Sequence, residues 1–195
     1  MKIIVISDPG EVKEEAMLVN EMFAEGLSVF HLRKPGWDKA TMVAFLNQLN
    51  PAYINRVVIH QFREVATDYS IKRLHFKEAE QEIALKYIDS KKEKRLILSS
   101  SVHDLQQIAS DFLFDYQFVS PVFSSISKKG YFSNVLDNND LYTLCKSNCL
   151  VALGGINDTN LSELKSYGFY GAAFLGFIWM TGDDPLRQFK KIKNG

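Results

Sequence analysis

Residues 149–158 read Cys149-Leu150-Val151-Ala152-Leu153-Gly154-Gly155-Ile156-Asn157-Asp158, and the chain changes character at the paired glycines. Up to Leu153 the run is nearly continuous in apolar residues, the pattern of a parallel strand buried on both faces. From Asp158 to Tyr167 the apolar positions take helical spacing, and a second apolar run, Gly171–Leu175, follows. Strand, helix and strand in that order predict a right-handed βαβ crossover.

The alternation extends back to the first residues. Further strand-like runs are Lys2–Ile6, Ser28–Leu32, Arg56–His60, Arg73–His75, Arg95–Ser99 and Tyr116–Val119. Between them lies Glu11–Glu25, with Val12, Ala16, Val19, Met22 and Phe23 at helical spacing and Gly26 as its cap. A second stretch after Asp38 carries Met42, Phe45, Leu46 and Leu49 on one face. Glu64–Tyr69, Glu78–Asp89, His103–Asp111, Asn138–Lys146 and Pro185–Lys193 complete the helical set. Eight alternating units predict one α/β domain over residues 1–195, a (β/α)₈ TIM barrel. An open doubly wound sheet is the alternative, but neither a dinucleotide glycine fingerprint nor a phosphate loop follows the first strand. The run Ser90–Lys94 is expected to be a solvated loop at the amino-terminal face. The long connection Ser120–Asp137 is expected to be functional.

Composition narrows the partners. Lysine plus arginine equal aspartate plus glutamate at 23 each, so no overall field favours nucleic acid or an anionic membrane. Phosphate recognition must then be local. No apolar run approaches the length of a membrane span, and Asp8-Pro9-Gly10 interrupts the first strand too early for a signal peptide, so a cytoplasmic protein is expected. Cys145 and Cys149 are expected to be buried or half-buried thiols rather than a redox or zinc motif.

Chemistry concentrates at the carboxyl ends of the strands. His31, His60, His75 and His103 each fall at or just after such an end, on the face where barrels of this kind keep their active sites. Gly154 and Gly155 precede a helix start and let backbone N–H groups approach an anion; Gly176 stands in the equivalent place after strand 8. Loops after strands 7 and 8 are the usual phosphate site of such barrels. Ser125, Lys128 and Lys129, in a loop ending at Gly130, are candidates to close over an anionic ligand. Arg33 and Lys34 add positive charge after strand 2.

The series His31-Leu32-Arg33, Ser101-Val102-His103, Pro121-Val122-Phe123 through Lys128-Lys129-Gly130, and Ala152-Leu153-Gly154-Gly155-Ile156 resembles the thiamine phosphate synthase/TenI superfamily over nearly the whole chain. The resemblance implies a substrate of the thiazole phosphate class. Synthases of that superfamily join a pyrimidine diphosphate to a thiazole phosphate with magnesium, using Gln-x-Arg-x-Lys after strand 2, Asn-Asp after strand 3 and Asp after strand 4. Here those places read His31-Leu32-Arg33-Lys34-Pro35, His60-Gln61, and only Glu78 or Glu80. One of the two metal carboxylates is thus missing, which should weaken metal-diphosphate binding, with Glu80 the substitute to consider.

The TenI branch instead isomerises a thiazole carboxylate phosphate to its aromatic tautomer, without metal. The histidine of its Ser-Val-His motif matches His103. An imidazole, with an unperturbed pKa of about 6.5, suits a proton transfer near neutral pH. The favoured expectation is therefore a thiazole tautomerase that needs no cofactor, with His103 as proton-transfer residue. It is expected to bind substrate through His31, Arg33, Lys34, His60, Ser125, Lys128 and Lys129, and phosphate through Gly154, Gly155 and Gly176. The alternatives are a magnesium-dependent synthase with an altered metal site and a non-catalytic binder of thiazole or thiamine phosphate. A metal hydrolase built on the histidines lacks the usual ligand spacing. Neither nucleic acid nor membrane is expected as a partner, and a homo-oligomer is left open.

Overall fold

The computed structural model describes residues 1–108, 113–123 and 135–194. Eight parallel strands close on themselves in sequence order: β1 Lys2–Ile6, β2 Val29–Leu32, β3 Val57–Ile59, β4 Arg73–Phe76, β5 Ile97–Val102, β6 Tyr116–Val119, β7 Leu150–Leu153 and β8 Gly171–Phe174. β8 returns to β1, pairing Ile3 with Ala172 and Val5 with Phe174. The helices are α1 Glu15–Ala24, α2 Lys39–Leu46, α3 Val65–Asp68, α4 Gln81–Lys94, α5 Leu141–Ser147, α6 Leu161–Ser166, α7 Gly176–Trp179 and α8 Pro185–Asn194.

Local chemistry explains several boundaries. The Asp38 carboxylate accepts from the Thr41 backbone N–H at 2.7 Å and starts α2. Gly26, at φ 103°, ends the α1 segment in a conformation that glycine adopts without steric cost. Three expectations need correction. Ser90–Lys94 is the last part of α4, because long charged side chains are good helix formers and the lysines sit favourably at its negative end. Strand 5 begins at Ile97 rather than Arg95, which takes the left-handed conformation that terminates α4. Of the helix expected over His103–Asp111 only a 3₁₀ turn, Leu105–Gln107, lies among the described residues. Cys145 is buried as expected, whereas Cys149 is exposed.

Alternation along the strands sorts residues into two cores. Phe30, Leu32, Ile59, Leu74, Leu98 and Ala152 face outward and pack under the helices. Ile4, Ile6, Val29, Val58, Phe118, Val151 and Ala173 face inward. The inward set is apolar on β1, β7 and β8, but on β2–β6 it includes His31, His75, Ser99, Ser101 and Tyr116, with His60 just past β3. Desolvation holds the pKa of His31 and His60 well below the usual imidazole range, and lowers that of His75 to about 3. All three imidazoles are neutral at physiological pH.

A second buried polar contact ties the front of the barrel together. The Lys34 ammonium, 1% exposed, pairs with Glu15 of α1 and donates to the Gly10 carbonyl at 2.6 Å. It also lies over the Trp37 ring. Burial outweighs Lys34 at Glu15 and raises its carboxyl pKa.

These features set two expectations. Lys34→Met should cost about 3–5 kcal/mol by stranding Glu15, and adding Glu15→Leu should recover most of it; equal losses in single and double variants, by denaturant titration, would refute the pairing. The second concerns pH. The unfolded chain takes up protons on histidine near pH 6.5 that the folded chain does not, so stability should fall as pH drops below about 6.5, by roughly 1.4 kcal/mol per unit for each buried imidazole. Glu15 acts in the opposite sense by at most one proton, which leaves the sign unchanged. A stability independent of pH between 6.5 and 5 would show that the folded state protonates these rings.

Candidate active site

A cavity of about 390 Å³ opens at the carboxyl ends of β2, β3 and β4. It is lined by Arg33, Pro35 and Trp37 after β2, by His60, Gln61, Phe62 and Arg63 after β3, and by Lys77 and Glu80 after β4. Contacts to neighbouring elements pin the first two of these loops. Arg33 is held by a reciprocal pair in which its N–H donates to the Ser7 hydroxyl at 2.8 Å and its carbonyl accepts from that hydroxyl at 2.9 Å. Arg63 donates to the His75 carbonyl through Nε and one terminal nitrogen, at 3.1 and 2.7 Å, and lies over the Phe76 ring. Phe62, at φ 51°, makes the turn that brings Arg63 back over β4, in a conformation bulky residues seldom adopt.

The lining carries three cations, Arg33, Arg63 and Lys77, against one carboxylate, Glu80. It therefore favours an anionic group. Glu80 is already engaged: one oxygen accepts from Arg63 at 2.7 Å and from the Lys77 backbone N–H at 2.9 Å. Magnesium requires several oxygen ligands in near-octahedral array, usually including carboxylate. A single carboxylate facing three cations does not fit that ion.

A second region of the same face is built on β5–β7. His103, exposed just past β5, donates from Nδ1 to the Ser120 carbonyl at 2.8 Å. Gly154 packs so closely on the next residue, Pro121, that a Cβ would sit 3.0 Å from its Cα. The Phe123 N–H donates to the Gly154 carbonyl at 3.1 Å, and Asn160 reaches back to the Gly155 carbonyl at 2.9 Å. Gly154 and Gly155 have φ of 97° and 67°. His103 and the glycine turn thus share one support, the β6 loop.

The residues singled out in the sequence divide accordingly. Arg33, His60 and Glu80 line the cavity; His103, Gly154 and Gly155 meet at the β6 loop; Gly176 opens α7. His31 and Lys34 are corrected. His31 is completely buried inside the barrel beneath His60, and Lys34 turns its ammonium to Glu15, so neither presents a charge or ring to the cavity. Ser125, Lys128 and Lys129 lie outside the described residues. Arg63, Lys77, Trp37 and Tyr116 were not foreseen. Tyr116 was nonetheless legible, since it shares the inward phase of β6 with Phe118.

Comparisons follow the same lines. Residues 3–178 match the family model described as thiamine monophosphate synthase. A search of curated protein sequences finds no match. Among solved structures, a thiamine phosphate pyrophosphorylase from Bacteroides thetaiotaomicron is similar with 27% identity and a TM-score of 0.78, over 100% of this chain and 96% of that one. A thiamine phosphate pyrophosphorylase from Pyrococcus furiosus has 20% identity and a TM-score of 0.79, over 99% and 94%. A 3-hexulose-6-phosphate synthase, at 15% identity, TM-score 0.73 and coverage of 100% and 99%, shares the fold. With the family model spanning nearly the whole barrel, this chain belongs to the thiamine monophosphate synthase family.

Proposed function

We propose that the chain isomerises a thiazole phosphate by proton transfer, with His103 as the base and the Gly154-Gly155 turn, helped by Gly176, as the phosphate cradle. The observation that carries the reading is the hydrogen bond from His103 Nδ1 to the Ser120 carbonyl. A carbonyl only accepts, so the neutral ring keeps its proton on Nδ1 and offers the lone pair of Nε2. The same loop seats Gly154, which sets the base beside the proposed phosphate position. A ring proton taken by Nε2 and a proton returned at another atom leave the composition unchanged, and no divalent ion takes part. Gln61 in the place of a metal carboxylate, and the engagement of Glu80 by Arg63 and the Lys77 N–H, support this reading over diphosphate displacement.

One observation favours a second reading, a synthase. The cationic lining from Arg33, Arg63 and Lys77 suits the diphosphate of a pyrimidine substrate. The two readings separate experimentally.

His103→Asn should lose about 10² to 10⁴ in turnover of the thiazole tautomer while keeping its affinity for thiazole phosphate. Joint loss of binding and stability, or retained activity, would withdraw the catalytic role. Gly155→Leu should weaken every phosphorylated ligand, because its positive φ disfavours a branched side chain. Calorimetry with the pyrimidine diphosphate should show weak binding that magnesium does not improve; tight magnesium-dependent binding would establish the synthase reading instead.

A further inference from the structure

Buried hydrogen bonds lead from the barrel interior to one ring of the cavity. His60 lines the cavity and is 7% exposed, while His31 below it is fully buried. His60 Nε2 lies 2.9 Å from His31 Nδ1, and His31 Nε2 lies 2.8 Å from the Tyr116 hydroxyl. Among the described residues His60 Nδ1 has no protein partner. Buried side-chain atoms without one are confined there to oxygens of Glu15 and Gln188, so Nδ1 is the ring nitrogen that opens on the cavity.

Donors and acceptors along this path leave one assignment. Burial above all, then the neighbouring His75, holds the pKa of both rings well below the usual imidazole range, and Arg33 and Arg63 act on His60 in the same sense. Each ring is therefore neutral, with one N–H and one lone pair. The Tyr116 hydroxyl is itself buried, with His31 Nε2 as its hydrogen-bond partner; if it merely accepted, its own proton would be left unpaired in the core. It donates, so His31 carries its proton on Nδ1 and gives that bond to His60 Nε2. The one proton of His60 is then on Nδ1, at the cavity. His75 obeys the same logic. The Ser99 hydroxyl donates to the Leu74 carbonyl at 3.3 Å, so its oxygen accepts from His75 Nδ1 at 3.0 Å, and Ser101 donates to His75 Nε2 at 3.1 Å.

We infer that His60 is a fixed N–H donor to the cavity, its tautomer set by His31 and Tyr116 as positioning residues. With the cations Arg33, Arg63 and Lys77 it receives an anionic oxygen, a chemistry that a carboxylate and a phosphoryl group share. A neutral imidazole stabilises such an oxygen, and negative charge developing on it, without giving up its proton. His60 is thus the opposite of His103, which offers a lone pair. The inference goes beyond the tautomerase reading, for it holds with any ligand that places such an oxygen in the cavity.

A metal centre is the competing use of three imidazoles whose ligand atoms lie within 4.8 Å of one another. Two features oppose it. The lone pairs of His31, His60 and His75 are already engaged, by Tyr116, His31 and Ser101 in turn. The His60 and His75 rings are also stacked, with centroids 4.1 Å apart and planes at 26°, so their in-plane lone pairs do not converge on an ion about 2.0–2.1 Å from each.

The test reads the ring directly. In the full chain labelled with ¹⁵N-histidine at neutral pH, His60 should carry its proton on Nδ1 and leave Nε2 unprotonated, with a coupling across the hydrogen bond from His31 Nδ1. Sulfate and oxalate, the tetrahedral and the carboxylate probe, should shift the His60 Nδ1 resonance saturably, and the tighter of the two identifies the group the cavity prefers. His60→Leu should weaken that binding about 10- to 100-fold. His60→Asn loses the His31 contact as leucine does but keeps an N–H near the Nδ1 position, and should recover most of the affinity. A proton on His60 Nε2 in the wild type would overturn the assignment. Absence of a saturable shift with either anion would overturn the ligand class, and equal losses in the two folded variants would overturn the donor role. Stoichiometric binding of added Zn²⁺ that moves all three imidazoles together would replace the inference with a metal site. None of these readouts involves turnover or His103, so the proposed reaction stands or falls separately.

Discussion

Closing eight parallel strands forces alternate residues of every strand into a space without water, so each inward group must be apolar or hydrogen-bonded within the barrel. The arrangement follows from that constraint. On β1, β7 and β8 the requirement is met by aliphatic residues, and on β6 by Phe118 together with Tyr116, whose hydroxyl pairs with His31. On β2–β5 it is met by imidazoles and hydroxyls that bond to one another. Among the described residues only Glu15 and Gln188 keep a buried side-chain oxygen without a partner, and neither belongs to this interior network.

The polar half of the interior lies directly below the cavity, and this alignment couples core to site. Groups buried to satisfy the barrel end at His60, which a ligand can reach. The loops above them are anchored in two ways: the Arg33 backbone by the Ser7 hydroxyl, and the Gln61 and Arg63 side chains by the Lys34 and His75 carbonyls. The contacts to His75 and Glu80 hold the Arg63 guanidinium at the opening with little conformational freedom left to lose on binding.

The β5–β7 side uses a different device. Gly154 lies so close to Pro121 that a Cβ there would sit 3.0 Å from the proline Cα and Cβ, and the Val122 and Phe123 N–H groups bond the Leu153 and Gly154 carbonyls across the two strand ends. His103 borrows a carbonyl from the same loop. The two regions present different chemistry, a cationic cavity and an oriented imidazole, on one face of one barrel.

The sequence by itself determined the barrel, because alternating apolar runs and helical spacing are local patterns that hold along the whole chain. It also located Arg33, His60, His103 and the glycine turn at strand ends, since that needs only strand boundaries. It could not determine which way a side chain at a strand end would point. Lys34 follows Arg33 immediately, yet one lies over the cavity and the other is buried against Glu15, a residue of α1 that the β1–α1–β2 crossover folds back over the strand ends. His31 was read as a site residue for the same reason, and its register opposite Val58 and Ile6 places it inside. The link from His31 to Tyr116 spans 85 positions and exists only because strands far apart in the chain share one interior. Local pattern sets where strands begin and end; closure of the sheet decides which of their polar groups meet ligand and which meet one another.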